Sequence, residues 1–325
     1  MRFCILITLI AAFCIHCKAE KQVSPSVTGK AKEIIIVKNK DQINIFLKAS
    51  INPEGNRYIQ YTLQHVQSDA INLDEWRITV AYEVEKTGDF TFTNVYPNNN
   101  PITHKGSEWD CAIRESNTVD FIGGYHGDER MSSVKFYADG IEKDLNTAEN
   151  ITCADFKFSQ TSTLFKCETN IPVAKHLKTY TSISNQLKTE QEIEWLEALN
   201  IETAYLTMFP IVRKMDVGKG AQLTDKASWD VDKFRTVYDV SMESFTAGIG
   251  RAIKNVRTTK ILGTTTGLSA EVNSSPNPLL PNNNFRIDTR PSYNKFYFDF
   301  TGKNYLTKIG EYWKNVSTYK ITTVN

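Results

Sequence analysis

WRITVAYEV, residues 76–84, is the stretch whose reading decides the fold. Trp76, Ile78, Val80, Tyr82 and Val84 share one parity, while Arg77, Thr79 and Glu83 take the other. That period of two is a β-strand with one face on a core. FTFTNVY, residues 90–96, alternates in the same way. Upstream, EIIIV (33–37) and INIFL (43–47) flank KNKDQ (38–42), a polar hairpin punctuation, and RYIQYTLQHV (57–66) is aromatic and β-branched. Downstream, short β-type runs recur at residues 119–122, 134–137, 156–158, 164–168, 180–184, 204–212, 236–240, 254–262, 269–272, 294–300 and 313–323, and Asp139-Gly140 marks a turn.

No sustained alternation of strand and helix interrupts this series. The chain therefore reads as all-β and mainly antiparallel, a β-sandwich or jelly-roll-like fold. At most one short helix is expected, near residues 187–199, where Ile193, Leu196 and Leu199 fall at helical spacing. Trp195 in phase with Ile193 fits a strand equally well.

The N-terminus reads MRFCILITLIAAFCIHCKAE. A basic start precedes an apolar run shorter than the roughly 20 residues needed to span a bilayer. This is the pattern of a cleavable secretory signal over residues 1–19. Residues 20–325 then form a single β-sandwich domain, with a division into two lobes near 170–176 as the alternative. Lys plus Arg (38) nearly balance Asp plus Glu (37), which argues against a nucleic-acid or membrane partner. The expected location is secreted and extracellular.

Removing the leader reduces six cysteines to Cys111, Cys153 and Cys167. A hairpin turning at residues 159–162 would set Cys153 opposite Cys167, which makes that pair the expected disulfide and leaves Cys111 as a thiol. Asn150 and Asn315 head sequons suited to glycosylation, whereas Pro276 makes the sequon at Asn273 less suitable.

One segment is rich in chemistry. A β run at 119–122 ends in Gly123-Gly124 and then delivers Tyr125, His126, Asp128, Glu129 and Arg130. Paired glycines let the backbone turn sharply against another group. Histidine suits proton transfer near neutrality, neighbouring carboxylates can orient it, and an arginine can neutralise a substrate acid. The plainer reading is a polar loop tip with Gly and Asp at turn positions.

GGYHGDE, residues 123–129, resembles the H-x-x-E zinc turn of the carboxypeptidase and aspartoacylase family. The resemblance implies a zinc hydrolase with His126 and Glu129 as ligands and His176 as a candidate third. That family is α/β with a helix after its Glu, whereas residues 133–140 here read as a strand entering a turn. FYFDFTGKNY, residues 296–305, resembles the late aromatic strand of jelly-roll polysaccharide lyases. This resemblance implies a lysine and a tyrosine facing a sugar cleft, and Lys295, Tyr297 and Tyr305 fit those types. The arginine-rich and glutamine-isoleucine-histidine strands of the alginate-lyase kind are absent.

The expectation is thus a secreted protein that binds or acts on carbohydrate, a uronate-containing polysaccharide or glycan, and is lyase-like if it is an enzyme. His126, Tyr125, Glu129, Arg130 and Tyr297 are the candidate catalytic groups, with Lys295, Tyr305 and Arg213 as substrate contacts. No cofactor or metal is expected on this reading. The alternatives are a non-catalytic extracellular-matrix protein and the zinc hydrolase. Mass spectrometry of secreted material should find a mature N-terminus near Glu20; an intact Met1 would overturn the export reading.

Overall fold

The computed structural model describes residues 33–49, 55–231, 234–239, 253–254, 256–276, 284–302 and 304–323. The expected leader at 1–19 lies outside them. Alternation is obeyed almost everywhere, so the described chain is a succession of strands. The first group is β1 (Ile34–Asn39), β2 (Gln42–Lys48), β3 (Arg57–Ser68), β4 (Leu73–Lys86), β5 (Phe92–Asn94) and β6 (Ala112–Glu115). Next come β7 (Glu129–Ala138), β8 (Ile141–Lys143), β9 (Glu149–Cys153), β10 (Phe156–Phe165), β11 (Pro172–Ile183), β12 (Gln186–Trp195) and β13 (Asn200–Val212). The last group opens with β14 (Lys226–Val231), β15 (Phe234–Asp239), β16 (Ile253–Lys254), β17 (Thr258–Leu262) and β18 (Leu268–Pro276). It closes with β19 (Asn284–Thr289), β20 (Tyr293–Asp299), β21 (Tyr305–Leu306) and β22 (Tyr312–Thr323).

A large sheet runs β15-β14-β17-β18-β22-β12-β11-β10-β7-β4-β3-β2-β1-β9, with β5 and β8 on side branches. A smaller sheet runs β16-β19-β20-β13-β21, with β6 also paired to β13. Among the described residues every strand pairing is antiparallel except the short β4–β7 contact, where Leu73 faces Glu129. The fold is therefore all-β and sandwich-like. Its core is aromatic: Trp109, Phe209 and Tyr319 form one cluster, Trp195 and Trp313 another, and Phe285, Phe296 and Phe298 a third. The described residues fall within one compact unit, and residues 170–176 do not divide it: β11 begins there and pairs with both β10 and β12.

The helix expected near 187–199 is instead β12. Leu187, Thr189, Gln191, Ile193 and Trp195 are buried, while Lys188, Glu190 and Glu192 are half-exposed and Glu194 is exposed. Two-residue periodicity wins because both edges of β12 are taken, by β11 and by β22. The short helical stretch Met215–Gly218 is a tight turn, with Asp216 and Val217 at φ 49° and 54°.

Two further expectations fail on the same ground. Residues 159–162 do not turn: they lie in the middle of β10, bonded to β7 on one side and β11 on the other. Cys153 and Cys167 thus stand beyond opposite ends of a ten-residue strand, roughly 30 Å long at strand rise. A disulfide needs Cα atoms within about 7 Å, and all three cysteines are free thiols. Asn315 is fully buried, in phase with Trp313 and Tyr319 on β22. Its amide donates to Leu206 O at 3.0 Å and Thr207 Oγ1 at 2.9 Å, tying the large sheet to the smaller one, so it is no glycan acceptor in the folded chain. Asn150 lies exposed on β9. In denaturant without reductant, a thiol reagent should count three cysteines in the mature chain; a count of one would restore the bridge.

Candidate functional site

The segment from His104 to Asp128 carries chemistry on both sides of its path. Bridges from Thr103 to Ile211 and Ile113 to Ile122, and the pairing of β6 with β13, attach it to the smaller sheet. Met208 N donates to Trp109 O at 2.7 Å, and the Trp109 ring is buried against Tyr61, Phe209 and Tyr319. With Trp109 anchored inward, Glu108 reaches the outer face and Asp110 the interior.

On the outer face, Glu108 bridges two candidates from distant parts of the sequence. Its Oε1 lies 3.3 Å from His126 Nε2 and its Oε2 lies 3.0 Å from Lys295 Nζ. Strand parity supplies the rest: Lys295 and Tyr297 share one face of β20 while Phe296 and Phe298 enter the core. Register then brings Arg286 of β19 opposite Tyr297. The Arg286 guanidinium lies 4.4 Å from the Tyr297 ring centre and 5.0 Å from that of Tyr205, and Lys295 Nζ lies 4.7 Å from the Tyr297 ring. Phe121 stacks between His126, at 4.9 Å, and Tyr205, at 6.1 Å. The exposed Tyr125 ring contacts His126 edge-on and is covered by Arg77. A pocket of about 550 Å³ opens beside His126 and Phe121, with Asp69, Asn72, Asp120 and Asp128 on its rim.

Lys295, Tyr205 and Tyr297 are buried here, only 2%, 6% and 9% exposed, while Glu108 and His126 are half-buried, and the electrostatics follow from that burial. Burial opposes the charge on Glu108, but the His126 hydrogen bond and the Lys295 charge outweigh it and bring its pKa down to about 2. Burial holds Lys295 below its ordinary value, with Glu108 pulling the other way, and burial also lowers His104. The phenols of Tyr297 and Tyr205 are pushed up by burial, Tyr205 to about 12, so both stay protonated at neutral pH. The face therefore holds a carboxylate-oriented imidazole, two cations and neutral phenols among aromatic rings.

Other expected site residues lie elsewhere. Glu129 does not join His126; it is fully buried and accepts from Gly124 N at 2.8 Å and Ser162 Oγ at 2.5 Å, with His176 Nδ1 at 2.9 Å. A zinc site built on His126 and Glu129 together is thus ruled out by geometry, because the two side chains serve different clusters. Arg130 is exposed and pairs with Asp69 at 3.1 Å. Arg213 is completely buried rather than facing a cleft. Tyr305 bonds Glu311 at 2.5 Å and packs on Trp313. It lies beside Ile201, whereas Lys295 faces Pro210 on the same strand, roughly 30 Å away at strand rise. Glu108, Arg286, Phe121 and Tyr205 were not singled out by the sequence reading. Only Glu108 and Phe121, within the segment that also carries His126, had a local signal.

Beneath the segment is a second, closed cluster. Lys178, on the inner face of β11, meets Glu75 at 2.5 Å, Asp110 at 3.7 Å and Glu129 at 3.9 Å, all buried. Tyr180 donates its hydroxyl to Asp110. Burial pushes Glu75 up to about 8 against the pull of Lys178. Burial also opposes the charges of Lys178 and Glu129, yet their opposite-charge neighbours keep Lys178 high and Glu129 low. Gly123 and Gly124 make this roof possible. Both have positive φ, and a Cβ would fall 2.5 Å from Cys111 Sγ at Gly123 and 2.6 Å from Cys111 O at Gly124.

No known protein family matches the chain, and no curated protein matches it. Among solved structures, the crystal structure of HI1317 aligns with 85% of this chain and 98% of its own, at 10% identity and a TM-score of 0.32.

Glu108 has its pKa depressed on folding, so its stabilisation is present above its unfolded value near 4.5 and is lost as pH falls toward about 2. Denaturant unfolding of wild type and Glu108→Gln should therefore differ most near neutral pH, by about 3–4 kcal/mol as an upper bound, and the gap should narrow below pH 4.5. A pH-independent gap would show that Glu108 is not held ionised by His126 and Lys295.

Proposed function

We propose that this protein is secreted and that it binds and acts on carbohydrate at the outer face of the smaller sheet, with a uronate-bearing glycan as its substrate. The reading rests on one observation: Glu108 links His126 to Lys295 beside the Tyr297, Tyr205 and Phe121 rings. Aromatic faces suit the apolar faces of sugar rings, and fixed polar groups at their edges suit hydroxyls. The Lys295 and Arg286 side supplies positive charge for a carboxylate, whereas the aspartate-rich rim beside Phe121 suits neutral hydroxyls.

The chemistry that fits is elimination. Neutralising the uronate carboxylate acidifies the carbon-bound proton next to it. His126, oriented by Glu108, removes that proton. The released electron pair forms the ring double bond as the bond to the leaving oxygen breaks. Tyr297, protonated because it is buried, is suited to donate a proton to that oxygen rather than to act as the base.

Incubation with a panel of uronate polysaccharides should yield an unsaturated product absorbing in the ultraviolet. His126→Ala and Tyr297→Phe should each lower kcat by about 10²-fold or more, the scale of a lost general acid or base, with both variants still folded by circular dichroism. Lys295→Met should mainly raise KM. Binding without product would leave a carbohydrate-binding module. No binding to any glycan in the panel would favour the matrix-protein alternative.

A further inference from the structure

The outer face of the smaller sheet does not end at the edge of that sheet. Residues 102–104 stitch it to β4 of the large one. Ile102 N donates to Ala81 O at 2.9 Å and Ala81 N to Thr103 Oγ1 at 2.7 Å. On the other side, Val212 N donates to Ile102 O at 3.0 Å and His104 N to Pro210 O at 2.9 Å. β20, β13 and β4 are thereby laid side by side, and Tyr61, Ile78, Phe209 and Phe296 belong to the one core beneath them. Because side chains alternate along a strand, the opposite faces form one continuous surface. Tyr125 spans the seam. Its ring meets His126 edge-on, and it also lies 4.9 Å from the Arg77 guanidinium and beside Gly106.

Across that seam, over β2, β3 and β4, lies a cavity of about 750 Å³ whose wall includes Arg77 and Gly106. Its floor is a row of amides and hydroxyls. Gln60, Thr62 and Gln64 share one parity on β3, and strand register sets Gln42 of β2 opposite Gln64 and Asn44 opposite Thr62. The row is fixed before any ligand arrives: Asn44 Oδ1 accepts from Gln42 Nε2 at 2.9 Å, from Gln60 Nε2 at 3.0 Å and from Thr62 Oγ1 at 3.0 Å. Groups already held in place lose little freedom on binding. Tyr82 and Phe92, the latter stacked on Phe46, add aromatic surface to the same cavity. Amides beside aromatic rings suit the hydroxyls and the ring faces of sugars.

Charge selects the kind of sugar. Among the described residues the only charged side chains in this wall are Arg77 and Lys105, and neither pairs with a carboxylate. Each is held near a tyrosine ring instead, Arg77 at Tyr125 and Lys105 at Tyr82. The pocket beside His126 has the opposite sign: Asp69, Asp120, Asp128 and Glu168 line it, with no lysine or arginine among its described walls. An anionic chain held at Lys295 and Arg286 is therefore repelled by the acidic pocket and drawn toward the cationic cavity. We infer that the cavity over β2, β3 and β4 is a distal subsite for the uronate glycan, whose chain crosses Tyr125 with carboxylates on Arg77 and Lys105 and hydroxyls on the Gln60 row. The inference rests on the glycan reading and adds to it the size of the substrate: a chain several sugars long, not a short saccharide.

The test is calorimetric titration of the His126→Ala protein, disabled in turnover, with oligogalacturonates, oligoalginates and hyaluronan oligosaccharides from disaccharide to octasaccharide. In the series that binds, affinity should rise by about 10-fold or more from the shortest member to the longest, the scale of one added hydrogen bond to a charged group. Lys105→Glu and Gln60→Ala in the same background should each remove most of that gain. Lys105 is exposed and Gln60 half-buried, so both variants should fold, which circular dichroism checks. Lys157→Glu, the same charge reversal at an exposed position on β10, should keep the gain. Unsaturated product from wild type tests the elimination reading separately. Product without any gain on lengthening, or a gain that Lys105→Glu leaves intact, would overturn the distal subsite and leave elimination standing. A gain lost in Lys105→Glu with no product from wild type would support the subsite and overturn elimination. No binding in any series would overturn both.

Discussion

The structure depends on keeping Lys178 out of water. A lone buried ammonium is costly enough that it would give up its proton, and a buried carboxylate fares no better. Here Lys178 is accepted because Glu75, Asp110 and Glu129 converge on it from β4, the roof segment and β7. Removing any one partner would leave another charge uncompensated, so these elements are held together by a shared penalty rather than by apolar packing alone. The centre of the large sheet, which simple alternation would fill with leucine and valine, is consequently polar on its inner face. Gln160, Ser162, His176 and Lys178 all point inward.

A polar inner face needs a polar roof, and residues 104–128 supply it. Asp110 answers Lys178 and Tyr180, Cys111 lies against Gly123, and Gly124 donates its N–H to Glu129. The outer site inherits its geometry from this arrangement. Once Trp109 and Asp110 are committed inward, Glu108 is left at the outer face, where His126 and Lys295 meet it. One short segment therefore orders two groups of titratable side chains on opposite sides of itself. A change meant for one can therefore be felt by the other.

The same polar interior explains where expectation and structure diverge. Residues 159–162, Ser-Gln-Thr-Ser, read as a turn because such residues favour turns in water. In the fold Gln160 accepts from Trp76 N at 2.6 Å and Ser162 bonds Glu129, so the segment runs on as strand and the cysteines at its ends stay far apart. Asn315 read as a glycan acceptor by its triplet, yet its parity with Trp313 and Tyr319 already placed it inside. Residues 187–199 offered two periods, and pairing on both edges selected the strand. His126 and Glu129 looked like one unit because they are three residues apart, but Gly127 and the start of β7 send them to different sides.

What the sequence determined by itself was the all-β class, most strand positions, the parity of Lys295 with Tyr297, and the glycine-marked turn that presents His126. These are local properties, written in a period of two and in the conformational needs of glycine. Only the tertiary structure decided that His126 meets Lys295 through Glu108, that Arg286 lies over Tyr297, and that Glu129 belongs with His176, Cys111 and Lys178. Those meetings join residues from 11 to more than a hundred positions apart. They depend on sheet order and on which charges can be buried together, neither of which leaves a periodic trace along the chain.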